Sequence, residues 1–351
     1  MQQFYSLKVV EKRWETKDAC TFRLGLPIFQ RKAFLFKPGQ YITLKLKIGE
    51  GEYRRSYSMC NIPEDGNFLE ITVKAIPNGV ATNYLLHEVE VGQSLETSTP
   101  EGRFLWQVEQ ELKRHYVFVA AGSGITPILS HIRNFLRNEP EAKLLLLYGN
   151  KSPEDTIFKT RLDALAHEHS GRLSVQYFYS QQEIAGSDHG RITPEEVEKR
   201  AREFSGHPAK CIFFLCGPGE MVQQVREYLH KWLIPRKHIL SELFVSTTKN
   251  ILANMSNSSV DAEVKIILDG EEHMVHVPAG KRILHAALDA GLDAPYSCQG
   301  GVCCTCMARA EGKFDTSANL SLTPADFEEG FILTCSTFVL SPTAVVNYDE
   351  V

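Results

Sequence analysis

The stretch YSCQGGVCCTCMAR, from Tyr296 to Arg309, holds four cysteines in nine residues: Cys298, Cys303, Cys304 and Cys306. A glycine pair, Gly300 and Gly301, lies between the first two, and Cys335 follows 29 positions after Cys306 in GFILTCST. Disulfides, a zinc ion and an iron–sulfur cluster all compete for such thiols. The opening MQQFYSLKVVEKRWE lacks the apolar core of a secretory leader. No apolar run approaches the ~20 residues that cross a bilayer. The expected compartment is the cytoplasm, where disulfides are rare and clustered cysteines bind metal or react.

Cys298, Cys303, Cys306 and Cys335 follow the pattern C-x4-C-x2-C…C, the spacing of a plant-type [2Fe–2S] site. Two irons and two sulfides need four thiolates; one loop can supply three and a distant segment the last. Gly300 and Gly301 let backbone N–H groups turn toward the sulfurs. Zinc is the competing reading, but structural zinc sites pair two short knuckles, and the distant half here offers a single cysteine. Cys304 falls between two ligands and is read as pointing away, with ligand swapping as the alternative. Cys20, Cys60, Cys211 and Cys216 are scattered, as small buried hydrophobes are. Around the motif, EVKIILDGEEHMVHVPAG predicts two strands joined at Asp269-Gly270. KRILHAALDAG predicts a helix ending at Gly291, and TAVVNYDE a closing strand. Residues 263–351 thus resemble a plant-type ferredoxin domain, which implies a β-grasp fold.

A one-electron centre needs a supply, and the rest of the 351 residues must contain it. This length predicts two or three domains. With 43% hydrophobic and 23% charged residues the composition is that of a globular protein, and the net charge of −5 speaks against a nucleic-acid partner. Residues 1–110 are rich in short strands and turn signals, such as Pro38-Gly39 and Gly49 to Gly51, which predicts a small β-barrel. Within it RRSYSMCN contains Arg55, Ser56, Tyr57 and Ser58, and VKAIPNGVATNYLL contains Val73, Gly79, Ala81 and Thr82. A guanidinium forks onto phosphate, an aromatic face stacks on a flat ring, and a helix N-terminus is an anion site. Either segment has a plain alternative, a solvated strand face or a helix capped by Thr82 or Asn83.

Residues 111–247 alternate strands and helices, which predicts a parallel sheet with its ligand at the strands' C-terminal ends. HYVFVAAGSGITPILSHIRNFL is a buried strand, a turn through Gly122 and Gly124, and an amphipathic helix containing Thr126. KCIFFLCGPGEMVQQVREYL ends its strand at Cys216, Gly217 and Pro218. Residues 248–262, rich in Ser and Asn, read as a linker that would let the last domain swing.

These motifs, in this order, resemble the ferredoxin–NADP reductase superfamily with a C-terminal plant-type ferredoxin domain, a plan shared by reductases of multicomponent oxygenases. The resemblance implies a six-stranded Greek-key flavin barrel, an α/β nucleotide domain and a β-grasp iron–sulfur domain. It implies that Arg55 meets the flavin pyrophosphate, Tyr57 packs on the ring and Ser58 approaches N5, while Ser56, Val73, Gly79, Ala81 and Thr82 complete the flavin site. Thr126 and Cys216 would place the nicotinamide, with Gly122, Gly124, Gly217 and Pro218 shaping the crevice. Phe244 would cover the flavin or serve the core. FAD is the expected flavin, with FMN used by related reductases. Lys151, Ser152, Ser180 and Arg191 are candidates for a 2′-phosphate, favouring NADPH over NADH. AAGSGITPILS, LLYGNKSPEDTIF, HGRIT and CQGGVCCTC resemble reductases of phenylacetyl-CoA epoxidase. The expected acceptor is therefore an oxygenase or hydroxylase component, phenylacetyl-CoA epoxidase first; a fatty-acid desaturase, a carotenoid hydroxylase or another oxygenase as acceptor, or a redox-sensing or docking protein, are the alternatives.

Overall fold

The computed structural model describes residues 2–106, 114–244 and 259–351. The expected boundary near residue 110 and most of the expected linker lie outside these; Ala262, its last residue, already opens a strand. Two compact units emerge, one from Tyr5–Tyr53 with Tyr57–Phe244, the other mainly from residues 259–351.

The barrel uses β1 (Phe4–Thr16), β2 (Ala19–Gly25), β3 (Tyr41–Ile48), β4 (Gly51–Ser58), β5 (Phe68–Lys74) and β6 (Ser94–Ser98), with helix α1 (Val80–His87) before β6. The strand order β4-β3-β6-β1-β2-β5 is a Greek-key arrangement, and a bridge between Met59 and Ile71 joins its two edges. Alternation explains the interior: Ile42, Leu44 and Leu46 of β3 and Leu69, Ile71 and Val73 of β5 face one core.

The nucleotide domain runs β7 (His115–Ala121), α2 (Ile125–Asn138), β8 (Lys143–Asn150), α3 (Lys159–Glu168), β9 (Leu173–Tyr179), β10 (Asp188–His189), α4 (Pro194–Ser205), β11 (Cys211–Gly217), α5 (Gly219–Lys231) and β12 (Ile239–Leu243). Every pair in the sheet β10-β9-β8-β7-β11-β12 is parallel. Strands covered on both faces become continuous apolar runs, as in KLLLLYGN and CIFFLCG. The chain leaves β7 toward β8 on one side and returns on the other at β11. The crevice outside β7 and β11 is therefore the switch point where such sheets bind ligands.

Polar contacts seat the nucleotide domain on the barrel. From α2, Ser130 Oγ donates to the Asn61 carbonyl at 2.7 Å, Arg133 grips Asp65, and His131 Nε2 meets the Phe104 carbonyl at 2.9 Å. The Glu70 carboxylate, with its side chain 1% exposed, takes Arg23 at 2.8 Å and Arg161 of α3 at 2.7 Å. Burial alone would raise its pKa; Arg161 and then Arg23 reverse that and hold it below the usual carboxylate value. Removing one partner from a buried ion pair typically costs about 3–5 kcal/mol.

In the second unit β13 (Ala262–Leu268) and β14 (Glu271–Val277) form a hairpin. Asp269 and Gly270 both take positive φ, 55° and 78°, the two left-handed residues of a tight hairpin turn. Then come α6 (Ile283–Asp289), β15 (Met307–Glu311), β16 (Phe314–Asp315), α7 (Pro324–Glu328), β17 (Phe331–Leu333), β18 (Phe338–Val339) and β19 (Thr343–Asn347). The main sheet is β14-β13-β19-β15-β17, with β13 and β19 parallel. Ile283, Leu284 and Ala287 of α6 pack into its core. Among the described residues no helix is long and apolar enough to cross a membrane.

Glu70→Ala leaves Arg23 and Arg161 facing each other where the nucleotide domain meets the barrel. The expected loss is about 3 kcal/mol in urea unfolding; a loss below about 0.5 kcal/mol would show that the buried pair contributes nothing net.

Candidate functional site

The crevice at the switch point is made by two turns that touch. Gly124 follows β7; a methyl group there would stand 2.2 Å from the Cys216 carbonyl oxygen and 2.7 Å from the Gly217 nitrogen. Both obstacles are backbone, so only glycine fits. Gly217, at φ 156°, likewise lies against Ala121, 3.1 Å from a virtual Cβ. Gly122 takes φ 54° in the open turn. Thr126 is 3% exposed and its hydroxyl donates to the Ser123 carbonyl at 3.0 Å, which fixes the first turn of α2. Pro218 caps the start of α5.

Cys216 is fully buried. Burial and then the Glu242 charge keep its thiol protonated. In the sheet it stands opposite Ala120 on one side and Glu242 on the other. Glu242 receives the Ser58 hydroxyl at 3.0 Å. Burial pushes this carboxyl up to about 7 although the Ser58 hydrogen bond works the other way. Ser58, Cys216 and Glu242 thus gather at the ends of β4, β11 and β12. Glu242 is not among the residues that the sequence singles out.

The remaining flavin candidates divide between surface and core. Arg55 and Tyr57 share one face of β4; Arg55 is partly buried and bonds the Arg54 carbonyl at 2.7 Å, and Tyr57 packs on the barrel core. Ser56 lies between them on the other face. Val73 is fully enclosed, which leaves only its backbone for a ligand. Gly79 is the cap position of α1 and has no side chain to close it. A Cβ there would meet Thr82 Oγ1 at 2.5 Å. The Thr82 hydroxyl bonds the Gly79 carbonyl at 3.1 Å from inside the helix, so neither it nor Asn83 is the cap. Open N–H groups at this end suit a pyrophosphate. Ala81 is a core residue, and Phe244 lies partly buried against the nucleotide core.

At the far ends of β8 to β10, the Ser180 and Gln181 nitrogens bond the Asn150 and Lys151 carbonyls, each at 3.0 Å. Gly190, next to Arg191, bonds the Tyr179 carbonyl at 2.9 Å. Lys151, Ser180 and Arg191 therefore sit on adjoining strand ends. Ser152 does not join them: it is 6% exposed and its hydroxyl donates to Asp155. The Asn150 amide and the Tyr179 hydroxyl are buried at the same strand ends.

In the second unit the four spaced cysteines converge. The thiol of Cys298 lies beside those of Cys303 and Cys335, and Cys335 also lies beside Cys306. The bond to Cys303 eases ionisation of Cys298, but the bond to Cys335 and burial outweigh it and push it up to about 11. The hydrogen bond from Cys298, then burial, push Cys303 higher still. Thiols this close ionise together only around multivalent positive charge. The four thiols form one continuous row, Cys303, Cys298, Cys335 and Cys306, a donor set of four thiolates that fits a [2Fe–2S] cluster. Backbone N–H groups of Gly300 and Gly301 point at Cys298 and Cys335 sulfurs, both at 3.3 Å. Asn319 fixes the outlying ligand segment, donating to Ser336 and Thr337 and accepting from the Leu333 nitrogen at 2.6 Å. Cys304, at φ 61°, packs toward the domain core.

Fold and site together define an NAD(P)H-dependent flavin and iron–sulfur oxidoreductase. Residues 6–106 match the oxidoreductase FAD-binding domain, 118–227 the oxidoreductase NAD-binding domain and 266–340 the 2Fe-2S iron-sulfur cluster binding domain. The chain is 34% identical to one of the subunits of 1,2-phenylacetyl-CoA epoxidase from Escherichia coli K12, over 99% of both chains. It is 33% identical to the ferredoxin reductase component of 3-ketosteroid-9-alpha-monooxygenase from Mycobacterium tuberculosis H37Rv, over 90% of this chain and 86% of that one. It belongs to this family of oxygenase reductase components. Phthalate dioxygenase reductase shares the fold over 98% of both chains (TM-score 0.61, 23% identity). An intact type IV self-sufficient cytochrome P450 monooxygenase does so over 98% of this chain, which spans 41% of that protein (TM-score 0.73, 21% identity).

Two outcomes test the site. Gly301 takes φ 72°, and a Cβ there would lie 2.1 Å from the Ala318 carbonyl oxygen; Gly301→Ala is expected to purify with less than about half the parent's iron. Glu242, raised from 4.5 to about 7, is easier to ionise in the unfolded chain. Its native-state penalty is absent below pH 4.5, grows through the interval and is complete above 7. Glu242→Gln should therefore melt at nearly the parent's temperature at about pH 5 and measurably higher at about pH 8; a constant difference across that range would refute the assignment.

Proposed function

We propose that this chain takes a hydride from NADPH and passes single electrons to an oxygenase, phenylacetyl-CoA epoxidase being the first candidate, in the cytoplasm. The gathering of Ser58, Cys216 and Glu242 beside the Gly124 contact carries this reading. FAD supplies the conversion from a two-electron to a one-electron carrier, and the iron–sulfur cluster the outlet. The chain's own residues do the rest. Gly124 and Gly217 bring backbone close enough to admit a flat ring into the crevice. Arg55 supplies a guanidinium that suits phosphate, and the open end of α1 suits the flavin's pyrophosphate. The Ser58 Oγ–Glu242 Oε2 hydrogen bond offers a proton route at the crevice, and a carboxyl near 7 can give or take that proton at working pH.

The choice of NADPH rests on Lys151 and Arg191. Both are exposed cations with no carboxylate partner among the described residues, at the strand ends where the adenosine of a dinucleotide falls. Ser180 between them adds a hydroxyl. The acceptor rests on the full-length similarity to an epoxidase component and on the motifs CQGGVCCTC and AAGSGITPILS.

Anaerobic absorbance titration with each coenzyme is the test. NADPH should bleach flavin and cluster bands faster than NADH. The double variant K151A/R191A should raise KM for NADPH about tenfold, the loss of two charge-assisted phosphate contacts, and leave NADH nearly unchanged. Equal effects on both coenzymes would remove the 2′-phosphate reading. Turnover by the purified oxygenase component of phenylacetyl-CoA epoxidase, with this chain as sole reductase, checks the acceptor.

A further inference from the structure

Arg282 occupies a position its own helix does not explain. It is the cap residue of α6, where a hydroxyl, amide or carboxylate is favoured and a cation meets the positive end of the helix. It makes no side-chain cap bond, and α6 has no acidic residue in its first turn. The side chain turns instead to the cysteine loop. Its guanidinium donates to the Cys335 carbonyl at 2.9 Å and to the Gln299 carbonyl at 3.3 Å. A further nitrogen lies 3.2 Å from His285 Nδ1, whose ring reaches the Gln299 side chain at 3.2 Å. One side chain thus joins both segments that carry the cysteines. Burial works against its charge, while Cys335 and Cys306 lie near enough to favour it. Among the described residues no carboxylate pairs with it. A half-buried, uncompensated guanidinium is costly unless negative charge comes to meet it.

We propose that Arg282 sets the reduction potential of the cluster held by Cys298, Cys303, Cys306 and Cys335, its fixed positive charge favouring the electron-loaded state. Reduction adds one electron and no proton. The new negative charge spreads over the sulfurs beside a guanidinium that remains charged at any working pH. Arg282 does not touch the sulfurs; it acts through the two carbonyls and through the field. The effect is to draw electrons out of the flavin and into the outlet. The proposal rests on the four cysteines holding the cluster, but not on which coenzyme or which oxygenase the chain uses.

The test is a dithionite titration of the full-length protein, followed by the EPR signal of the reduced cluster, so that neither NADPH nor an acceptor enters. The parent, R282K, R282Q and R282M are compared, each with its iron content. R282K, which keeps the charge, should titrate close to the parent. R282Q and R282M should bind the electron at least tenfold less well, a fall of about 59 mV for a one-electron couple. A loaded neutral variant at the parent's potential overturns the proposal, as does R282K falling as far as the neutral pair. A cluster that loads in R282K but in neither neutral variant assigns Arg282 to scaffolding, and overturns it too.

Discussion

Gly124 and the Cys216 carbonyl share a space that no side chain can enter, and the reaction crevice exists because of that contact. It brings the turn after β7 against the end of β11, where the sheet changes direction. Every other crevice residue takes its place from there. Thr126 is set one turn into α2, Cys216 is sealed behind the strand end, and Glu242 stands beside it in register. The buried Glu70 pair and the contacts of Ser130 and Arg133 then hold the barrel so that Ser58 reaches Glu242. Sheet topology, a missing Cβ and a few buried polar contacts thus fix a geometry that no single motif specifies.

The iron–sulfur domain solves a different problem with similar means. Four thiols resist being ionised together, so their loop must be held before they agree to share charge. Gly300 and Gly301 turn N–H groups inward, Asn319 saturates the segment around Cys335, and Arg282 ties that segment to the loop. The cost of crowding sulfur is met by donors and one cation arranged around it.

Much of this is legible in the amino-acid sequence because its signals are local. The cysteine spacing, the Asp269-Gly270 hairpin and the Gly-x-Gly turn each specify backbone within a few residues. What escapes reading depends on distant partners. Glu70 sits in FLEITVK where alternation points it away from the barrel core, and only the arrival of α3 buries it. Glu242 looks like a surface acid until β4 brings Ser58 to it. Ser152 reads as a coenzyme contact from its neighbours in YGNKS, yet its hydroxyl belongs to Asp155, three residues on. Thr82 offers a cap by residue type, but the helix starts earlier than its hydroxyl can serve. Arg282 resembles any charged residue before a helix, and its direction is visible only once the loop wraps back.

The position of β19 governs how the iron–sulfur domain can be made. This strand lies between β13 and β15 in the sheet, although it is the last of them in sequence. The sheet has no middle until residues 343–347 have left the ribosome. Contacts between chain segments some eighty residues apart, such as Lys265 with Val345, must close late and at a high entropic cost. The barrel and the nucleotide domain, whose pairings lie upstream, can form during synthesis. Cluster assembly is thereby deferred until β19 has been made, by which time the electron supply can already be folded.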